Sequence, residues 1–311
     1  MAGGSDMRLD KVLADCFGHH AEGRALYAAV SAAELKPGCC GYMDKDGRWT
    51  TIVQLTKPSD LKKRSFSEFK DAKIKTNPVS EDWGEVKSSN VRGKLIKASG
   101  KVTDPNTKAV SVGASFSYST QDGAGGIFIT KNNVTEKYLE DSWLADAWME
   151  KNGPKIANDI PPTRDRGVWV VTRTFAAPER YVAVLKENGE EASLSINADA
   201  YKVGKVETTA SWWSSYNGSM WKYAEHKDGL VLFMAGTYYK PKLWAKGFNR
   251  EDQPKKEKFL GDGAMEPIDV EFTDAEDDGC VRYMQFVPEQ VGKPRKKEDD
   301  NGGSDEEYDQ Y

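Results

Sequence analysis

The chain has 311 residues, of which 38% are hydrophobic, 11% aromatic and 30% charged, and its formal net charge is −5. It has no run of about twenty apolar residues, and its four Cys and three His lack C-x-x-C spacing, so the pattern excludes a membrane-spanning helix, a zinc site and a disulfide framework. We expect a cytoplasmic protein without a secretion signal, a metal or a cofactor.

Charge is distributed unevenly along the chain. Residues 249–311 hold nine Lys and Arg against nineteen Asp and Glu, a net charge of −10, while residues 1–248 hold 35 against 30, a net charge of +5. This asymmetry predicts a basic body, 1–248, and a short acidic tail, 249–311, that is partly disordered. Within the tail, the alternation of Ile268, Val270 and Phe272 and the apolar run 281–287 predict segments that pair with other strands.

The body begins with residues at helical spacing. Apolar side chains at i, i+3, i+4, i+7 and i+8 predict an amphipathic helix over 5–17: Leu9, Val12, Leu13, Cys16 and Phe17. A second helical segment is predicted over 22–35. The turn sequence DKDG at 44–47 then predicts a hairpin, and a Lys-rich loop over 57–75 contains Lys62, Lys63 and Arg64.

A long hairpin is predicted next, with strands 91–103 and 107–119 around the turn 104–106. Its second strand alternates between apolar residues and only Ser or Gly: Val110, Val112, Ala114, Phe116 and Tyr118 are the apolar positions. A strand of a soluble sandwich fits this pattern. So does a strand that moves from water into lipid, since about nine to eleven tilted residues cross a bilayer.

The remaining elements follow in order. We predict a Gly-rich linker at 121–126, a short strand at 127–130, a helix over 134–151 closed by Gly153 and Pro154, and a central strand, GVWVVTRTF, over 167–175. A second long hairpin joins 181–187 to 191–200 through Asn188 and Gly189, and strand 203–211 continues it. A turn at 227–229 leads into the last strand, LVLFMAGTYY.

No motif of enzyme chemistry is present. The sequence lacks a Walker motif, HExxH and GxSxG, and no nucleophile or orienting partner accompanies its histidines, so we expect no catalytic activity. The Lys and Arg residues are not interleaved with aromatics as in an RNA-binding motif, so we expect no nucleic-acid partner. They suit an anionic membrane surface, where each is worth about 1 kcal/mol.

The order of these elements, together with GVWVVTRTF and KDGLVLFMAGTYY, resembles the pore-forming domain of the gasdermins. The likeness is stronger to the fungal gasdermin-like cell-death proteins, which act in heterokaryon incompatibility, and it covers about 7–244. It implies an α+β fold, with flanking helices on a twisted and mainly antiparallel sheet.

The resemblance also implies a mechanism. Gasdermin subunits bind acidic phospholipids, assemble into rings and refold two regions into membrane-spanning β-hairpins, here 91–119 and 181–211. The residues that would face lipid are Val110, Val112, Ala114, Phe116, Leu194, Ile196 and Ala198. The lipid head groups would meet the helix residues Leu9, Val12, Leu13 and Phe17 and the basic residues Lys62, Lys63, Arg64, Arg92, Lys94, Lys97 and Lys101.

By the same resemblance, the protein would be cytoplasmic when inactive and would cause regulated cell death at the plasma membrane or another acidic membrane. The chain lacks the large repressor domain of animal gasdermins, because only 63 residues follow Phe248. A subtilisin-like protease that cuts at Phe248 or Phe259 would release the acidic tail from the basic body. Other fungal members act instead by pairing with an allelic variant, so the ring could be homo-oligomeric or hetero-oligomeric.

An alternative interpretation is a soluble β-rich module that binds lipid or carbohydrate and forms no pore. Its ligand would lie against four clustered aromatic residues: Trp212, Trp213, Tyr216 and Trp221. This alternative predicts binding without leakage.

Overall fold

The computed structural model describes residues 8–18, 20–70, 73–77, 83–96, 102–103, 115–120, 122–130, 133–185, 191–195, 221–243, 265–273 and 281–293, with the backbone alone at 94–96, 102–103, 115–116 and 191–195. These residues form four helices: α1 (Leu9–Cys16), α2 (Pro58–Lys63), α3 (Trp143–Asp159) and α4 (Thr163–Arg166).

The same residues form fifteen strands. They are β1 (Arg24–Ala25), β2 (Cys39–Met43), β3 (Trp49–Gln54), β4 (Ile74–Thr76), β5 (Glu85–Lys87), β6 (Val91–Ile96), β7 (Val102–Thr103), β8 (Ser115–Thr120), β9 (Gly125–Ile129), β10 (Thr135–Leu139), β11 (Val168–Leu185), β12 (Glu191–Ser195), β13 (Trp221–Leu243), β14 (Ile268–Thr273) and β15 (Val281–Val291). The paired strands run antiparallel, which confirms the predicted α+β class with a mainly antiparallel sheet.

Two sheets contain these strands. The large sheet has eleven strands, with the path β14-β15-β13-β11-β10-β4 and with β1, β2, β3, β5 and β9 paired off that path. The small sheet has the order β12-β8-β6-β7. Among the described residues, no backbone pairing joins one sheet to the other.

The centre of the large sheet is the pairing of β11 with β13, which runs from Val168↔Tyr239 to Ala183↔Trp221. This confirms the prediction that GVWVVTRTF is a central strand. The predicted turn at 227–229 is wrong, because β13 continues through it. Ala177 pairs with Leu230 and Glu179 pairs with Glu225, so residues 226–229 form a bulge opposite Pro178.

The helix predicted over 22–35 is also wrong, because this segment lies along the edge of β13 and uses its backbone groups there. Arg24 pairs with Met234, and the N–H of Leu26 donates to the carbonyl of Leu232 at 2.9 Å. Its apolar side chains pack into a core cluster with Trp169 of β11. Backbone partners on a neighbouring strand thus override the local helical spacing.

The helix predicted over 134–151 has the wrong bounds. Its first part is β10, which pairs with β11 at Lys137↔Thr174, and α3 begins at Trp143. The predicted stop does not end α3, which continues through Gly153 and Pro154 to Asp159. The continued turn buries Ile156 and Ala157 in the core, which offsets the penalty of an internal proline.

The predicted hairpin around 44–47 is confirmed as β2 and β3. Asp44 Oδ1 accepts the N–H groups of Asp46 and Arg48, both at 2.8 Å, and Gly47 takes the positive φ of +73° that the turn requires. The loop predicted over 57–75 is wrong in part, because it contains α2 and β4.

Part of the predicted tail shares the core of the body. The alternation in β14 is confirmed, since Ile268, Val270 and Phe272 are buried together with Met284 and Phe286 of β15. These side chains form one cluster with α3. In the large sheet, β15 pairs with β13 from Gly236↔Val291 to Leu243↔Met284. The division at residue 248 stays a prediction.

Helix α1 lies directly on β9 at a glycine. A Cβ atom on Gly126 would come 2.6 Å from Cε2 of Phe17 and 2.8 Å from Cδ1 of Leu13, two side chains that are 3% and 0% exposed. The predicted Gly-rich linker is therefore wrong in part: Gly125 and Gly126 belong to a buried strand, and Gly126 lets α1 approach closely.

We expect Gly126→Ala to displace α1, because neither contacting side chain has room to move. The free energy of unfolding should fall by about 1–3 kcal/mol, as for overpacked cores. Urea denaturation with amide exchange in α1 measures both effects. Gly153→Ala is the control, since its Cβ would come no closer than 3.3 Å to Ile268 and α3 would gain helix propensity.

The loss should shrink when Phe17→Leu is added to Gly126→Ala, because the smaller side chain vacates the space that the new methyl group needs. Strictly additive effects of the two substitutions would contradict this packing of α1 on β9.

Candidate functional site

Segments of the two regions predicted to enter the membrane lie side by side in the small sheet, while 181–185 of the second region belong to β11 of the large sheet. In this sheet β8 pairs on one edge with β6, from Val91↔Thr120 to Ile96↔Ser115, and on the other with β12, from Glu191↔Ser119 to Ser195↔Ser115. Segments from 91–119 and 181–211 are therefore direct neighbours, although seventy residues, 121–190, separate β8 from β12 along the chain.

The pairing predicted for the second hairpin is wrong, because the described part of its return strand does not pair with 181–185. There β9 occupies one edge of β11 over 181–185, and β13 occupies the other edge over 181–183. The described part of the return strand, β12, pairs with β8 instead.

The first predicted hairpin is right in its pairing and wrong in its length. The register of β6 and β8 is centred on 105–106, inside the predicted turn. Yet β6 ends at Ile96, and β7 pairs back onto it at Leu95↔Thr103 and Ile96↔Val102. The 91–103 strand is therefore two short strands.

The register aligns residues of the same type across three strands. Phe116 of β8 stands opposite Leu95 of β6 and Leu194 of β12. At the next position, Ser117 stands opposite Lys94 and Ser193. The register thus places the apolar positions of the two regions opposite each other, and the polar positions likewise.

Side-chain contacts attach the small sheet to the body. Tyr118 is 1% exposed, and its hydroxyl donates a hydrogen bond of 2.8 Å to Oε2 of Glu85 on β5. Its ring lies 5.7 Å from that of Trp221, which is also buried. A Cβ atom on Gly125 would come 2.4 Å from Val91, so β6 begins in close contact with β9.

The predicted lipid-binding residues of α1 face the interior in this conformation. Leu13 and Phe17 are buried, Leu9 and Val12 are half-buried, and the ring of Phe17 lies 5.7 Å from Phe128. These side chains would reach lipid only if α1 left β9, and their lipid contact stays a prediction.

The basic residues of α2 are exposed. Lys62 and Lys63 form its last turn and Arg64 follows it, while Leu61 is buried and anchors the helix. None of the three cationic side chains makes a hydrogen bond or ion pair with another described residue. Arg92 is exposed on β6, and Lys94 lies two positions further along the same strand.

The other predicted site residues lie outside the described part of the chain, and their roles stay predictions: Val110, Val112, Ala114, Ile196, Ala198, Lys97, Lys101, Phe248 and Phe259. The same holds for Trp212, Trp213 and Tyr216 of the alternative aromatic site. Its fourth member, Trp221, is 4% exposed and packs on Tyr118.

Sequence reasoning missed two arginines of β11 that fix distant segments. Arg180 is 1% exposed, and its guanidinium donates to the carbonyls of Leu26, Tyr27 and Val231 at 2.6–3.2 Å. Burial lowers the pKa of Arg180 to about 10, so the group stays cationic at neutral pH. The signal available in the sequence was a charged residue inside the apolar run of β11.

The second missed residue, Arg173, joins the loop after α1 to the end of β15. Its Nη2 atom donates to the carbonyls of Ala21 and Lys293, both at 3.0 Å, and the N–H of Lys293 donates to Ala21 at 2.9 Å. Glu136 lies 3.6 Å from Nη1 and balances the charge. We call Ala21, Arg173 and Lys293 the clasp.

Among the described residues, no helix is long and apolar enough to cross a bilayer. No group of three or more His, Cys, Asp or Glu in this part of the chain is placed to hold a metal ion. Comparison with protein-family models, with curated proteins and with solved structures found no match.

We expect Tyr118→Phe to loosen the small sheet, because it removes the hydrogen bond to Glu85. The free energy of unfolding should fall by about 1.5 kcal/mol, and amide exchange should rise in β6 and β8. Tyr223→Phe is the matched control: its hydroxyl also donates to a carboxylate, that of Glu225, but the side chain is 45% exposed. Equal losses in both variants would contradict the anchoring role of Tyr118.

Proposed function

We propose that this chain is a gasdermin-like pore-forming protein that binds membranes rich in acidic phospholipids and inserts β-hairpins into them. The observation that supports the proposal is the small sheet, which holds β6 and β8 of the first candidate region in register with β12 of the second, while 181–185 of the second region belong to β11 of the large sheet.

The separation of the sheets limits the number of contacts that the proposed change must break. Detaching β6, β8 and β12 from the body breaks the hydrogen bond from Tyr118 to Glu85 and the packing on Trp221. It leaves the paired strands of the large sheet intact. Once in the membrane, every backbone N–H and C=O group of β6, β8 and β12 must have a hydrogen-bond partner, because an unpaired group is too costly in lipid.

This constraint explains why the proposal includes oligomers. A hairpin that crosses lipid alone exposes two strand edges, and neighbouring subunits in a ring would pair those edges. The ring could contain copies of this chain or an allelic variant of it.

Exposed cations support a first contact with anionic lipid. Lys62, Lys63 and Arg64 stand together at the end of α2 without partners in the described part of the chain, and each is worth about 1 kcal/mol near such a surface. Residues 249–311, with a net charge of −10, would oppose this attraction while they stay attached.

Release of the part of the tail that forms β14 and β15 must break the core cluster that these strands share with α3. Five buried apolar side chains of β14 and β15 pack in the cluster with α3, and each contributes about 1.5–3 kcal/mol. A cut by a subtilisin-like protease at Phe248 or Phe259 would therefore leave this hairpin bound, held by β13 and by the clasp. Its dissociation becomes a separate step that follows cleavage.

The pore proposal predicts that Leu194→Lys abolishes dye release from phosphatidylserine vesicles, because a Lys that faces lipid costs about 2–4 kcal/mol near mid-bilayer. Ser193→Lys is the matched control, with the same charge one residue away on the proposed water-facing side, and it should leak like the parent. Circular dichroism checks that both variants fold.

Three outcomes would contradict the proposal. One is equal leakage from the two Lys variants. Another is a parent protein, intact or cut, that releases no dye from vesicles containing phosphatidylserine or cardiolipin. The third is saturable binding without leakage, which would favour the lipid- or carbohydrate-binding module.

The release proposal predicts that the clasp limits leakage after cleavage. In a chain with an engineered protease site within 249–264, Arg173→Met should speed dye release after cutting at least several-fold, because it removes two charge-assisted hydrogen bonds. Lys155→Met is the control, since it removes the same charge from an exposed ion pair with Asp159. Equal rates for both variants would contradict the role of the clasp.

A further inference from the structure

A cleft of about 820 Å³ opens beneath α1, a volume within the range of small-molecule sites. Its walls come from α1, the turn of the β2–β3 hairpin, α4 and the neighbouring parts of β11, β13 and β15. The cleft is separate from the small sheet and from α2, and it plays no part in the proposed insertion.

The floor of the cleft is an aromatic pair. The rings of Trp169 and Tyr238 stack with centroids 4.9 Å apart and planes 28° apart. The hydroxyl of Tyr238 donates a 3.0 Å hydrogen bond to the carbonyl of Arg166, which fixes the pair to α4. The guanidinium of Arg24 lies 6.0 Å from the centroid of the Trp169 ring.

Arg24 is the unusual group in this cleft. Its guanidinium makes no hydrogen bond or ion pair with another residue of the described chain. Burial lowers the pKa of Arg24, yet an arginine stays charged at neutral pH. Other cations of the cleft are already paired: Arg8 binds Asp10 at 2.7 Å, and Lys240 lies 3.4 Å from Glu289.

Two more cations of the cleft wall, Lys11 and Arg166, have side chains without a hydrogen-bonded or ion-paired partner in the described residues. A phosphoryl group presents three acceptor oxygens, and a guanidinium binds two of them at once. Five carboxylates line the cleft as well, and they disfavour ligands with several anionic groups: Asp10, Asp15, Asp44, Asp165 and Glu289.

We propose that this cleft binds a small water-soluble molecule with one phosphoryl group, held by Arg24 with Lys11 and Arg166, and that the bound molecule keeps α1 docked. The cleft joins α1 to Glu289 and Val291 of β15, so it exists only while both elements are in place. A ligand that binds this form alone stabilises it by mass action. Only the effect on leakage rests on the proposed function.

The test is calorimetric titration of the full chain with glycerol 3-phosphate. Saturable binding is expected, and Arg24→Gln should weaken it about tenfold or more, since it removes charge-assisted hydrogen bonds. Lys151→Gln, which removes an exposed cation of α3 outside the cleft, should bind like the parent. Arg166→Gln tests the same cleft should Arg24→Gln fail to fold.

Absence of saturable heat, or equal affinity of the parent and the cleft variants, would overturn the proposal. Flotation with phosphatidic acid vesicles distinguishes the source of the phosphoryl group: binding that depends on Arg24 in this arm alone would assign the cleft to a lipid head group and overturn the soluble ligand.

Saturating glycerol 3-phosphate should also slow dye release, because α1 is held in place. Unchanged leakage with intact binding would overturn the link to α1. A chain that binds through Arg24 but never leaks would contradict pore formation while the binding site stands.

Discussion

The antiparallel pairing of β11 with β13 is the interaction on which the rest of this structure depends, because both strands are long, are largely buried where 168–177 pairs with 230–239, and continue past three register shifts. Packed clusters form around it, one with α1 and one with α3, and the remaining strands of the large sheet pair outward from it. Arg180 adds a polar constraint, since its buried guanidinium fixes the segment at Leu26 and Tyr27 against this pair.

That arrangement determines what could move. Strands paired with β11 and β13 cannot leave without exposing backbone groups and a shared apolar core. Detaching the small sheet exposes no backbone group of the large sheet, because side chains such as Tyr118 and Val91 attach the one sheet to the other. Release of β6, β8 and β12 therefore breaks no strand pairing of the large sheet among the described residues.

Sequence patterns predicted the elements whose residues face one consistent environment. The period-two runs of β11, β14 and the β2–β3 hairpin appear as expected, because alternation and turn chemistry are local properties. The helical conformation predicted for residues 22–35 and 135–139 was wrong, since their apolar spacing also suits a helix. These segments are extended because they pair with the edges of β13 and β11. The Lys-Asp-Gly at 227–229 suits a turn and a bulge equally well.

For the candidate site, too, the sequence predicted the strands but not how they pair. Alternation predicted β8 and β12 as strands, but their pairing joins segments that are distant in the chain, and no local pattern records which strand edges meet. The placement of Arg24 over Trp169 was equally hidden, since the two residues lie on segments far apart in the chain.

The clasp has a consequence that follows from reciprocity. One atom of Arg173, Nη2, donates to Ala21 after α1 and to Lys293 after β15, so the two segments share a single donor group. If release of the segment at Ala21 weakens the binding of the segment at Lys293 by some free energy, then release of the segment at Lys293 must weaken the binding of the segment at Ala21 by the same amount. A surface that draws α1 away would therefore also weaken the hold on Lys293, both through Arg173 and through the direct hydrogen bond from Lys293 to Ala21.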